Sequence, residues 1–324
     1  MISKCNVGIT LEPTAATLET SFSPEHPPLQ KPNPTAPADR SGPPPALSYS
    51  GTESVGKRLA RLPKTVLHKL TGGRIAQACL NRNAIISQKM MGIGSGAGVL
   101  NSGEAAVFPL LPRQPSEPLV VFDVGSNHGQ FLNLTRRSLA GTDFLIHCFE
   151  PGQKTFESLS SQETDSRVTL NNIAVGNCEE SRTLFYDQYG SGMASLTKRE
   201  LNHRGIQFDK SEEVSVTTID RYCEKHGIQG IDLLKLDIEG HELDALKGAD
   251  ETFSRNAIRL VTFEMGGCNI DTRTFFRDFW NFFTQRNMSL HRITPSGSLI
   301  KIRRYKESHE QFRTTNFLAI RHDH

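Results

Sequence analysis

Four apolar runs in this 324-residue chain each end in a carboxylate: "VVFDVG" at Asp123, "LIHCFEP" at Glu150, "LLKLDIEG" at Asp237 and "LVTFEMG" at Glu264. Stretches of helical spacing separate most of them. A short apolar run bounded by turn residues suits a strand buried on both faces. Strands that alternate with helices predict a parallel sheet with helices on both sides. Strands are expected over 119–124, 144–149, 168–175, 233–236 and 258–264, and helices over 130–139, 154–162, 219–226 and 242–247. A helix over 272–286 and closely spaced strands over 290–293, 299–302 and 317–320 predict an antiparallel finish. The fold class is α/β, with a Rossmann-like, mostly parallel sheet.

Composition sets the domain limits. Residues 1–54 hold ten of the 17 prolines, including Pro43-Pro44-Pro45. Such a segment buries too little apolar surface to offset chain entropy and is expected to be disordered. Residues 55–110 read as a helical extension followed by a connector. Leu59, Leu62, Val66, Leu67, Leu70, Ile75, Cys79 and Leu80 recur at helical spacing, with Pro63 and Gly72-Gly73 as punctuation, before the glycine-rich "GIGSGAGVLNSGE". Lys57, Arg58, Arg61, Lys64 and Lys69 read as a solvated helix face. The main domain is placed at 111–324.

The net charge is +2, with bases and acids interspersed, which argues against a nucleic-acid partner. No apolar run approaches the roughly 20 residues of a membrane span, so no stable membrane insertion is expected. Six scattered cysteines with no C-x-x-C pair indicate a reducing, cytoplasmic setting.

In an open α/β sheet, ligands bind beyond the carboxyl ends of the strands. "VVFDVGSNHGQF" supplies a strand, a glycine turn and a helix. It fails the dinucleotide pattern G-x-G-x-x-G, because Asn127 and Gln130 stand where the second and third glycines belong. Asp123 would also repel a diphosphate. The same charge suits a cofactor with an ammonium group, since unlike charges about 4 Å apart attract by about 4 kcal/mol before desolvation is subtracted. S-adenosylmethionine carries an ammonium and a sulfonium and no phosphate. Glu150, ending the next strand, falls where such folds place a ribose-binding acid.

The motifs "FDVGSNHGQF", "FEPGQ", "NNIAVG", "TTIDRY", "LLKLDIEGHELDALKGA" and "VTFEMG" together resemble the FkbM-type S-adenosylmethionine-dependent methyltransferases. The resemblance runs from about Leu119 to Gly266. It implies the seven-stranded sheet of class I methyltransferases, its last strand antiparallel. It also implies S-adenosylmethionine as cofactor and O-methylation of a small-molecule hydroxyl, on a sugar or a secondary metabolite. Carried over by position, Asp123, Gly125, Asn127 and Gly129 form the loop on the methionine side. Glu150 holds the ribose, and Ile173 and Ala174 flank the adenine. Asp237, Glu239 and His241 face the transferring methyl, with Glu264 beside them. His241 is the first candidate for the general base and Asp237 the second.

Asp237, Glu239 and Glu264 offer oxygen ligands to a divalent cation, but their spacing defines no ligand set, and no metal is expected. The competing readings are a nicotinamide-dependent oxidoreductase, disfavoured by Asn127 and Gln130, and a non-catalytic binder that keeps the fold. "FFRDFWNFF", with Trp280, is expected to pack on the sheet. The loop "DQYGSGMASL" is expected over the crevice, where Tyr189, Met193 and Ser195 could touch the acceptor. Arg303 and Arg304 read as a solvated strand end. The sequence leaves the oligomeric state open.

Overall fold

The computed structural model describes residues 68–322 apart from 70, 100 and 114. The proline-rich stretch and residues 55–67 of the expected helical extension lie outside the described residues. Among those described, the strands are β1 (Leu119–Val124), β2 (Phe144–Phe149), β3 (Val168–Asn171), β4 (Ala174–Val175), β5 (Glu180–Tyr186), β6 (Lys210–Thr217), β7 (Ile231–Leu236), β8 (Ile258–Met265), β9 (Met288–Ile293), β10 (Leu299–Lys301) and β11 (Thr315–Arg321). The α-helices are α1 (Arg74–Met90), α2 (Gln130–Ser138), α3 (Gln153–Ser160), α4 (Ile219–His226), α5 (Glu242–Lys247), α6 (Asp250–Ser254), α7 (Cys268–Thr272) and α8 (Phe276–Thr284).

The main sheet runs β10-β9-β11-β8-β7-β1-β2-β3. β3, β2, β1, β7 and β8 pair in parallel, and β11 lies antiparallel between β8 and β9. These are the seven strands expected, with the last one reversed. β10 adds a short eighth, antiparallel to β9 at the edge. The chain leaves β1 on one side for β2 and β3 and returns on the other for β7. The carboxyl ends of β1 and β7 therefore border the switch point at which a crevice opens.

Local chemistry accounts for the element ends. Thr218 Oγ1 accepts from Arg221 N at 3.0 Å and caps α4, which ends at Gly227 with φ +67°. The strand expected over 168–175 is broken at Asn171-Asn172. Asn171 Nδ2 donates to Cys148 O and Asn172 Nδ2 to Glu150 O, each at 3.0 Å, and this turns the chain away from β2. The helix expected over 272–286 is shorter, α8 (Phe276–Thr284), and is preceded by α7, which ends at Thr272. Arg273 is left-handed at φ +57°, and α8 starts at Phe276, whose N–H donates to Glu310 Oε2 at 2.8 Å. α8 buries Phe276, Phe279, Phe282 and Phe283, and Phe263 of β8 stacks on Phe279 with ring centroids 4.6 Å apart. Trp280 is half-buried against the same cluster.

A second sheet of order β4-β6-β5 was not expected from the sequence. Its strands are half polar. Only Leu184 and Tyr186 of β5, and Val214 and Val216 of β6, face its small core with Ala174 and Leu196. That is a period-two pattern carried on charged strands, which are easily read as loop.

Upstream, α1 starts directly after Gly72-Gly73 and has no buried residue. The glycine-rich stretch lies along the approach to β11, where Gly94 N and Gly96 N donate to Thr314 O at 2.9 and 3.0 Å. A 3-10 turn, Glu104–Leu110, then sends Val107 and Phe108 into the core, with Phe108 stacked on Phe131.

Candidate active site

The turn after β1 is set by close packing. Gly125 has φ +85°, and a Cβ built there would lie 1.9 Å from Asp237 O. Only glycine lets the β1 turn lie flush on the β7 turn, where Asp237 N donates to Val124 O at 3.0 Å. Asn127 is left-handed at φ +45°, a region asparagine tolerates. Glu150 clamps the arrangement: Oε2 accepts from Asn127 N at 3.0 Å and Oε1 from Gly152 N at 2.9 Å. Burial pushes this carboxyl up to about 7, against the pull of those two N–H groups.

A cleft of about 650 Å³ opens on these turns. Phe149, Ile173, Ala174, Leu184 and Leu196 make an apolar slot, and Asn127, Glu150, Asp237 and Glu239 make a polar end. The break at Asn171-Asn172 is what brings Ile173 and Ala174 to the wall.

Beneath the turn, Lys235 is buried among carboxylates. Its Nζ lies 3.2 Å from Asp123 Oδ1, 3.4 Å from Asp237 Oδ2 and 3.4 Å from Gly125 O. Burial alone would favour the neutral amine, but Asp123, Asp237 and Glu104 around it hold it charged. Glu104 is buried on its 3-10 turn and accepts from Ser102 Oγ at 2.7 Å; burial pushes it up to about 7. Asp123 is fully buried below the wall and paired with Lys235, and it is absent from the cleft lining. Its charge, unpaired in the sequence, is thus compensated by Lys235 and not offered to the cleft.

The β7 turn is laced to the loop between β5 and β6. Glu239 is left-handed at φ +52°. Its carbonyl accepts from Ser195 Oγ at 2.9 Å and its Oε2 from Arg199 Nη1 at 2.6 Å. Arg199 Nε also reaches Asp271 Oδ2 at 3.4 Å. Glu242 Oε1 accepts from Ile238 N and Gly240 N at 3.0 and 3.1 Å, closing the turn from inside. His241 is buried with both ring nitrogens engaged, Nε2 with Thr197 Oγ1 at 3.0 Å and Nδ1 with Asp244 Oδ2 at 3.1 Å. Asp237 keeps 37% of its side chain exposed.

A second, wider cleft of about 1620 Å³ shares Gly125, Asn127, Gly192, Asp237 and Glu239 with the first. Glu264 faces this second cleft alone. Burial, then the charges of Asp237 and Glu239, push its carboxyl well above the usual range.

The structure thus brings Gly125, Asn127, Glu150, Ile173, Ala174, Asp237, Glu239 and His241 to one cleft. Gly129 stands at the start of α2 with φ +77°, away from the wall. The loop "DQYGSGMASL" does lie over the crevice. Ser195 lines the first cleft and Met193 the second, while Tyr189 points outward under Lys154 Nζ at 3.5 Å from its ring centroid. Arg303 and Arg304 are exposed and line neither cleft. Sequence reasoning missed Lys235, Glu104 and Arg199. A lone lysine within "LLKL" was a readable signal; Arg199, on a loop between two unrecognised strands, gave none. Among the described residues, no His, Cys, Asp or Glu group is arranged to hold a metal ion, and no helix is long and apolar enough to cross a membrane.

A parallel sheet with a glycine turn and two acids at its switch point is a Rossmann-like arrangement. The methyltransferase FkbM domain matches residues 123–290, more than half of the chain, and the chain belongs to that family of methyltransferases. It is similar to the hexuronic acid methyltransferase AglP of Haloferax volcanii, 27% identical over 161 residues, which is 50% of this chain and 60% of that protein. It is also similar to the 2-O-methyltransferase NoeI of Sinorhizobium fredii, 24% identical over 151 residues, 42% of this chain and 59% of that one. The matched region thus spans about three fifths of each relative. A crystal structure of an FkbM methyltransferase from Methylobacillus flagellatus overlaps 65% of this chain and 45% of its own, at a TM-score of 0.39 and 19% identity.

Proposed function

We propose that the protein transfers a methyl group from S-adenosylmethionine to a hydroxyl of a sugar-like small molecule. The observation that carries this reading is a buried acceptor at the glycine turn, Asn127 Oδ1, on a residue that lines the cleft and with no hydrogen-bond donor. Buried acceptors left unmade are costly. An ammonium supplies the missing donor, whereas a diphosphate would add acceptors. The residues present therefore fit the cofactor. Asn127 and the turn would take its amino-acid end, Glu150 the ribose hydroxyls, and the slot at Ile173 and Ala174 the adenine. The bound cofactor supplies an electrophilic methyl on a sulfonium.

The chain's own part is alignment and proton removal. Asp237 is on the wall common to both clefts, ion-paired with Lys235 and open to solvent. It accepts the acceptor's hydroxyl proton as the oxygen–methyl bond forms, a contribution of about 10²- to 10⁴-fold. Glu264, which lines the second cleft, contacts the acceptor. His241 would have to release Thr197 or Asp244 to act as a base. In this reading it positions the loop over the cleft and ranks behind Asp237. The two relatives' names, one for hexuronic acid and one for a 2-O-position, support a sugar hydroxyl as acceptor.

Calorimetric titration with S-adenosylmethionine and with NAD tests the cofactor. Binding of the first alone is expected, and binding of NAD in its place would overturn the reading. Labelled methyl transfer to a cell extract separates an enzyme from a silent binder, and transfer is expected to survive a strong chelator.

A further inference from the structure

The second cleft carries its charges in a particular arrangement. Four cations line it, and two are already neutralised: Lys235 by Asp123 and Asp237, Arg199 by Glu239 and Asp271. Arg204 and Arg313 have no carboxylate within ion-pair distance among the described residues. Arg204 is exposed on the turn Asn202–Arg204. Arg313 is half-buried and held in place. Its Nη1 donates to Gln88 Oε1 of α1 at 2.5 Å, and a Cβ at Gly94 would lie 3.0 Å from its Nε. A guanidinium drawn from water and given only a neutral amide lacks a counter-charge. Glu200, exposed on the same wall, offsets one of the two free charges. At the buried end of this cleft stand the acids Asp237, Glu239 and Glu264.

We propose that the methyl acceptor carries an anionic group, a carboxylate or a phosphate, held by Arg313 with help from Arg204. The two arginines, the cations of this cleft without a carboxylate partner among the described residues, hold that group away from Asp237. Together they orient the acceptor so that a hydroxyl, and not the anion, meets Asp237. This rests on the methyltransferase reading and adds the substrate class. Arg313, Gln88 and Gly94 all lie outside residues 123–290, which match the family domain.

The test is titration of the full chain, saturated with S-adenosylhomocysteine, with glucuronic acid, glucose 1-phosphate and glucose. At least one anion is expected to bind about tenfold or more tightly than glucose, because a charge-assisted contact of this kind is worth about that factor. The carboxylate and phosphate arms identify the source of the charge. Arg313→Ala should remove the preference while leaving glucose and S-adenosylhomocysteine binding unchanged. Arg313→Lys should retain part of it, and Arg204→Ala should weaken it less. The preference should also fall with added salt. Equal binding of all three sugars, no anion binding in the millimolar range, or a preference that survives Arg313→Ala would each overturn the proposal. Failure to bind S-adenosylhomocysteine would instead bring down the cofactor reading.

Discussion

The two clefts that meet at Asp237 are built by different means. The first is made by backbone: two turns packed through Gly125, a carboxylate accepting two N–H groups, and an asparagine pair that redirects a strand. Its polar residues come from contiguous motifs at consecutive strand ends. The second is made by side chains from segments far apart in sequence, among them Val99, Arg199, Arg204, Glu264 and Arg313. A site defined by main-chain geometry tolerates little change, whereas one defined by projecting side chains can be rebuilt without disturbing the sheet. The contrast fits a shared methyl donor and a variable acceptor.

Several substitutions sharpen or break this contrast. Asp237→Asn should have the largest effect, lowering methyl transfer by about 10²- to 10⁴-fold with cofactor affinity little changed, as read by single-turnover kinetics at saturating cofactor. A matching loss with His241→Ala and none with Asp237→Asn would reverse their ranking. Lys235→Met strands Asp123 and Asp237 without a cation and should lower stability by about 3–5 kcal/mol in chemical denaturation. Combining it with Asp123→Asn should recover part of that loss. Glu150→Ala belongs to the backbone-built cleft and should weaken S-adenosylmethionine binding by about tenfold or more in calorimetry. An unchanged affinity would remove Glu150 from the ribose.

The pH dependence follows from the buried glutamates. Glu104, Glu150 and Glu242 are each pushed up to about 7 by burial. A carboxyl raised in the folded state stabilises the fold fully below its ordinary range, and that contribution is lost as pH rises through the folded value. The Tm should therefore fall between about pH 5 and about pH 8, and Glu104→Gln should flatten that slope. Ser195→Ala should have the smallest effect, about 1–2 kcal/mol, because it removes two neutral hydrogen bonds, to Glu239 O and from Thr197 N.

The same contrast explains what could be read from the chain. β1, β2, α4 and α5 fall where periodicity put them, because apolar strands ending in acids and a Thr-capped helix advertise themselves locally. The small sheet was missed because β5 and β6 hide two inward residues each among charges. The break in the strand over 168–175 depends on Asn171 finding a partner on β2 and Asn172 one in the turn that follows it, which no local pattern announces. The strand-end carboxylates were legible as a group. Their pairing was not: that Asp123 is spent on Lys235, or that Arg199 crosses from a distant loop to Glu239, is decided by tertiary contact alone.

Gly125, Asn127, Gly192, Asp237 and Glu239 belong to both clefts, so a donor in the first and an acceptor in the second, as proposed, would press on a common partition. Whatever factor one of them contributes to the other's affinity must be returned in equal measure. Spent donor left in place then governs how tightly the next acceptor is held, and inhibition by product becomes a measure of how stiff that partition is.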